Sequence, residues 1–122
     1  MKVKYIELAG KKYPMCFSLT ASEELDEYFN GLDKMQKVLD SDSVGEISRA
    51  ANKILEVLMK AGRIYVKMSG GEVPPELECK PGDLIDVSDP ETINAIFSTI
   101  SQDTQREVEA KPPKKTEAAP NQ

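Results

Sequence analysis

The sequence contains no histidine, and only two of its 122 residues are cysteines. Histidine is the most common general base, the usual partner of a nucleophilic serine or cysteine, and the most common metal ligand. Cys16 and Cys79 lack the spacing of a redox motif or a zinc site, and a reducing cytosol keeps most thiols unpaired. We therefore expect a protein that is not an enzyme and that needs no metal or cofactor.

Long apolar runs and basic clusters are missing as well. No run approaches the roughly 20 apolar residues that span a bilayer, and the N-terminus lacks the pattern of a secretory signal. The formal charge is −5, and basic residues form only short pairs such as Lys11 and Lys12. An acidic body without a basic stripe repels a phosphate backbone. We therefore expect a cytosolic protein that binds neither nucleic acid nor membranes.

The first apolar blocks predict a β-hairpin. Residues 3–8 and 13–17 are the expected strands, and residues 9–12, which include Gly10, are the expected turn. Pro14 has no amide hydrogen to donate, so the second strand must be an edge strand or contain a bulge. Because two strands alone are marginally stable, their apolar face must pack on the segments that follow.

Four later segments have the features of amphipathic helices. The first starts at the capping-box sequence of residues 20–23 and ends near Gly31, and a short second helix carries Met35 and Leu39. The longest pattern covers residues 44–68 and predicts the central helix. The last helix starts at residues 88–91 and fades near residue 106.

These elements predict an α+β fold in which the N-terminal β-hairpin packs on a small bundle of about four helices. We expect one domain over residues 1–106, while residues 72–88 are compatible with a loop, a strand or a helical turn. Residues 107–122 have almost no apolar bulk, so burial cannot offset the entropy cost of ordering them. We expect a disordered tail there.

Two candidate sites have simpler structural explanations. Glu23 and Glu27 could share a cation on one helix face, but acidic residues near a helix start are explained by the helix dipole. Residues 69–71 (SGG) lack the lysine and hydroxyl residue that complete a phosphate-binding loop, so a helix C-cap is the better interpretation.

The candidate functional residues are apolar side chains outside the main stripe of the long helix. Burial in the core is the general explanation for such residues. If a partner binds there, its flexible methionines suit a surface that accepts variable apolar segments. The expected contacts are Val57, Met59, Ile64 and Met68.

Several segments have a familiar order, namely residues 6–14 (IELAGKKYP), 17–19 (FSL), 28–32 (YFNGL) and 82–87 (GDLIDV), with the long aliphatic helix before the last. Together they resemble the tail assembly chaperones of siphophages and prophages of Gram-positive bacteria, over about residues 3–105. One departure is that the loop containing Pro74, Pro75 and Pro81 is richer in proline than the family pattern.

The resemblance implies a chaperone that binds and solubilises the phage tape measure protein, helps to recruit tail tube protein, and is absent from the mature virion. It leaves open a homo-oligomer and a longer product made by ribosomal frameshifting. One alternative is a structural or connector protein of the phage particle. Another is a small helical DNA-binding regulator, if residues 43–68 form a helix-turn-helix, although the acidity argues against it.

Overall fold

A computed structural model of the protein describes residues 3–110, of which residues 101–110 are described as backbone only. This part of the chain forms an antiparallel hairpin followed by four α-helices, which confirms the predicted α+β fold. The elements are β1 (Lys4–Leu8), β2 (Lys11–Met15), α1 (Leu19–Phe29), α2 (Leu32–Leu39), α3 (Val44–Met68), a short 3-10 helix (Pro81–Leu84) and α4 (Pro90–Ala110).

The hairpin turn is shorter than predicted. Leu8 pairs with Lys11, so only Ala9 and Gly10 form the loop, with φ angles of 51° and 79°. Two positive φ values match the right-handed twist of the strands, and glycine adopts such a value without steric cost. Pro14 pairs with a residue of β1 in a two-stranded sheet, where both strands are edges, as expected.

The start of α1 differs from the prediction by two residues. Ser18 has an extended backbone, and its hydroxyl accepts a hydrogen bond from the amide of Ala21 at 3.0 Å, so the helix begins at Leu19. The capping-box prediction at Thr20 was therefore wrong, because an earlier serine satisfies the free amide first. Asn30 in the left-handed region then ends α1.

The central helix has the predicted bounds. The hydroxyl of Ser43 accepts a hydrogen bond from the amide of Glu46 at 3.3 Å, and α3 continues for 25 residues to Met68. Gly70, with a φ of 88°, follows its last turn, as the C-cap interpretation expects. Because α3 is unbroken, residues 43–68 do not form a helix-turn-helix.

The core lies around the middle of α3, which contacts β2, α1, α2, the 3-10 helix and α4. The hairpin makes the closest contact, since the amide of Cys16 donates to the carbonyl oxygen of Leu58 at 3.1 Å. Fully buried side chains come from both strands and three of the helices: Leu8, Met15, Leu25, Ile54, Leu55, Leu58 and Ile96.

The last helix begins where predicted but ends later. The carboxylate of Asp89, instead of the Ser88 hydroxyl, accepts a hydrogen bond from the amide of Glu91 at 2.9 Å. Helix α4 reaches Ala110, four residues into the predicted tail, because residues 107–110 (EVEA) include good helix formers. Residues 111–122 of that tail lie outside the described residues.

None of the helices described is long and apolar enough to cross a membrane.

Candidate functional site

Along one side of α3, the side chains change from buried to exposed toward the C-terminal end of the helix. Ala50, Val57 and Ile64 follow one another at intervals of two helical turns, so they lie on the same side of the helix. Ala50 and Val57 are each 3% exposed, whereas Ile64 is 56% exposed. The elements that cover this side of α3 therefore end between Val57 and Ile64.

Helix α1 runs antiparallel to α3 along this side. The ammonium of Lys60 lies 3.1 Å from the carboxylate of Glu24, and the ammonium of Lys53 lies 4.8 Å from the ring centroid of Tyr28. Later residues of α1 thus contact earlier residues of α3. The first residue of α1, Leu19, is 89% exposed.

The C-terminal part of α3 consequently carries exposed apolar side chains. Ile64, Tyr65 and Met68 are 56%, 37% and 84% exposed, and Ile64 and Met68 are one turn apart on the same side. We call these three residues the apolar end of α3. Scattered exposed apolar residues are ordinary, but a group on adjacent turns is a feature of interaction surfaces.

The four predicted partner contacts do not form one surface. Val57 belongs to the hydrophobic core. Met59 is half-buried and lines a cavity of about 280 Å³ between α3, β2 and the proline-rich loop, on another side of the helix. Ile64 and Met68 alone are exposed together. Val57, at 3% exposure, is not accessible to a partner in this structure.

The proline-rich loop is attached to α3. The guanidinium of Arg63 donates a hydrogen bond to the carbonyl oxygen of Pro74 at 2.5 Å. Cys79 is exposed in this loop, while Cys16 is buried beside the contact between the hairpin and α3, so the two thiols are not joined.

A second concave surface lies between the first half of α3, the 3-10 helix with its following loop, and the first turn of α4. Its volume is about 240 Å³. The carbonyl oxygen of the Asn52 side chain accepts a hydrogen bond from the amide of Gly82 at 2.7 Å, which holds the 3-10 helix against α3. Apolar side chains form the floor, namely Ile47, Ala51, Leu55, Ile85 and Ile93.

Two carboxylates line one edge of this groove. Asp86 accepts hydrogen bonds from the amide and the hydroxyl of Ser88, at 2.9 and 2.8 Å, and both bonds lower the pKa of Asp86. Asp89 caps α4 through the Glu91 amide. No lysine or arginine is among the lining residues of the groove. We refer to it as the acid-edged groove.

One buried threonine lines the same groove. Thr92 lines it and is only 9% exposed, and its hydroxyl makes no hydrogen bond within residues 3–100. The other buried threonine of α4, Thr99, donates to the carbonyl oxygen of Ala95 at 2.8 Å. Thr92, Asp86 and Asp89 were not predicted as site residues, because the pattern near them indicates only a turn and a helix start. The groove forms only where Gly82 contacts Asn52.

From the sequence, the acidic residues of α1 are a possible cation site. In the part of the chain that is described, no three histidine, cysteine, aspartate or glutamate side chains come together in a group that could hold a metal ion. Glu24, the neighbour of Glu23, instead pairs with Lys60.

No protein-family model, no curated protein and no solved structure matches this chain. The resemblance to tail assembly chaperones therefore remains a prediction from the sequence, and the geometry of the two surfaces is the basis for a functional proposal.

Proposed function

We propose that this protein is a phage tail assembly chaperone that binds and solubilises the tape measure protein and helps to recruit tail tube subunits. The observation that carries the proposal is the apolar end of α3, where Ile64 and Met68 are exposed on adjacent turns. An amphipathic helix of a client could pack its apolar stripe there, as helices dock in hydrophobic grooves elsewhere.

The size of this surface fits reversible binding. Burying one aliphatic side chain contributes about 1.5–3 kcal/mol, and association itself costs several kcal/mol. Ile64 and Met68 together can therefore support only a weak contact for each copy of the protein. A long client with repeated apolar helical segments would be covered by many copies, and each copy could leave as the tail tube forms around the client.

Methionine at this position supports a client of variable sequence. The Met68 side chain is unbranched and 84% exposed, so it can adapt to different apolar partners. Under this proposal the protein acts in the host cytosol and is absent from the mature virion.

The test is co-expression of the full chain with the tape measure protein encoded downstream in the same genome. We expect the client to become soluble and to co-purify with this protein. The double variant Ile64→Ser and Met68→Ser should lose co-purification while keeping its melting temperature. Tyr5→Ser is the matched control, since Tyr5 also has an exposed large apolar side chain, at 57%, but lies on β1 and lines neither concave surface.

Two results would contradict the proposal. A client that stays insoluble and unbound would do so, and so would equal binding by the double variant and the wild type. Abundance of the protein in purified phage particles would favour a structural or connector component.

A further inference from the structure

The acid-edged groove is separate from the apolar end of α3. Leu55 lines the groove and lies nine residues before Ile64, which corresponds to about 900° of helix rotation, or opposite sides of α3. A ligand of the groove would therefore leave the apolar end accessible.

The volume of the groove suits side chains better than a whole small molecule. It measures about 240 Å³, below the roughly 300–1,000 Å³ of typical small-molecule sites. Its floor is aliphatic, and Val87, which is 74% exposed, forms part of the rim. One or two apolar side chains of an incoming segment would fill this space and cover Val87.

The negative charge of the groove edge favours basic residues next to the apolar side chains of the bound segment. Asp86 and Asp89 line the groove without a lysine or arginine beside them in the lining. Ser88 holds the Asp86 carboxylate in place through two hydrogen bonds. An acidic side chain placed here would be repelled, whereas an ammonium or guanidinium would find two carboxylates without cationic partners in the groove.

Thr92 adds a polar residue to the lining of the groove. Thr92 is only 9% exposed, and its hydroxyl has no hydrogen-bond partner among residues 3–100, so a hydrogen bond with a bound ligand would stabilise the complex. A peptide backbone offers both a donor and an acceptor next to each side chain. A peptide segment can thus satisfy Thr92 while its apolar side chains occupy the floor.

We propose that the acid-edged groove is a docking site for a segment of another protein in which one or two apolar side chains are followed by lysine or arginine. The apolar floor binds the aliphatic part, Asp86 and Asp89 bind the basic residue, and Thr92 bonds the backbone. The charge complementarity of the edge and the unpartnered buried hydroxyl are the two independent observations behind this site.

The first test uses the full chain and a short fluorescein-labelled peptide of alternating leucine and lysine, with an alternating leucine and glutamate peptide for comparison. Fluorescence anisotropy should detect binding of the lysine peptide alone. Binding should weaken as salt is raised, because exposed charges are screened. Equal binding of both peptides, or no binding of the lysine peptide, would overturn the proposal.

Variants then locate the contact. Replacing both acids by asparagine, Asp86→Asn with Asp89→Asn, keeps the hydrogen-bond acceptors for Ser88 and Glu91 and removes only the charges. We expect about fivefold weaker binding, the combined size of two exposed ion pairs. The matched control Glu23→Gln with Glu27→Gln removes two charges from α1 and should bind like the wild type. If both double variants lost the same affinity for the lysine peptide, binding would depend only on the net charge of the protein, and the proposed site would be refuted.

A third variant tests the contribution of the apolar groove floor without changing the charge of the edge. Ala51→Leu fills the floor from α3 and should abolish binding while leaving the protein folded, as judged by its melting curve. In amide NMR spectra, the lysine peptide should shift signals of residues 47–55 and 82–93. Binding that survives Ala51→Leu, or shifts confined to other residues, would place the peptide elsewhere and contradict the proposal.

Discussion

The backbones of Gly62 and Pro14 touch, so that a β-carbon on Gly62 would overlap the carbonyl oxygen of Pro14. One turn earlier on α3, the carbonyl oxygen of Leu58 accepts a hydrogen bond from the amide of Cys16 at 3.1 Å. The hairpin is therefore fastened to the central helix by backbone contact as well as by side-chain packing. A glycine in a helix interior generally weakens it, and here the close approach explains its presence.

This contact predicts that Gly62→Ala is destabilising. Alanine favours a helix over glycine by about 1 kcal/mol. The overlap with backbone atoms cannot be relieved by a side-chain rotation, so we expect the free energy of unfolding to fall by about 1–3 kcal/mol. Urea denaturation monitored by circular dichroism measures the change.

Gly45→Ala is the matched control in the same helix. A β-carbon at Gly45 would lie 3.5 Å from the Arg49 side chain, an ordinary contact. This variant should raise the free energy of unfolding by a few tenths to about 1 kcal/mol. If Gly62→Ala and Gly45→Ala were equally stabilising, this result would contradict the close backbone contact between α3 and β2.

A second prediction concerns Val57 and Ile64, which lie on the same side of α3 but differ in burial. Val57→Ala removes two buried methyl groups and leaves a small cavity, so it should lower the free energy of unfolding by about 2 kcal/mol. Ile64→Ala should change it by no more than about 0.5 kcal/mol, since Ile64 is mostly exposed. A large loss in Ile64→Ala would mean that the apolar end of α3 is covered within the monomer.

A third prediction concerns the two buried threonines of α4. Thr92→Val removes a hydroxyl without a partner in the described residues and should raise the free energy of unfolding by about 1 kcal/mol. Thr99→Val removes a hydroxyl that donates to the Ala95 carbonyl, so its gain should be smaller or absent. Thermal unfolding of the two variants makes the comparison, and the reverse order would show that Thr92 is already satisfied.

A fourth prediction concerns the pKa of Asp86. The amide of Ser88 is the larger cause of its lowered pKa, and the Ser88 hydroxyl is the second. Ser88→Ala removes only the hydroxyl, so the pKa of Asp86 should rise part of the way and stay below its ordinary value. An NMR titration of the carboxyl carbon measures it, with Ser48→Ala, elsewhere in the groove, as a control that should leave the pKa unchanged.

The sign of the pH dependence follows from the direction of that shift. Because the pKa of Asp86 is lower in the folded protein, its contribution to stability is complete above the unfolded pKa and is lost as the pH falls through the folded pKa. Ser88→Ala makes the pKa of Asp86 in the folded protein more similar to its pKa in the unfolded protein. The variant should therefore lose less stability than the wild type on acidification, and a larger loss would contradict the assignment to Ser88.

Local patterns were sufficient for most of the element order. The apolar spacing and the flanking Ser43 and Gly70 placed α3 correctly, because caps and i, i+4 contacts involve residues within one turn. The predicted ends of α1 and α4 were wrong because more than one local structure suits the residues there. Ser18 and Thr20 could both cap α1, and the polar residues before Ala110 are compatible with a helix or a tail.

The sequence by itself determined the α+β fold, the hairpin at Gly10 and the central helix. Only the tertiary structure decided that Val57 is core while Ile64 is surface, since both lie on one side of the same helix. The acid-edged groove likewise depends on Gly82 reaching Asn52, 30 residues away. Periodicity defines the face of a helix, but burial depends on where the covering elements end, and distant contacts set that position.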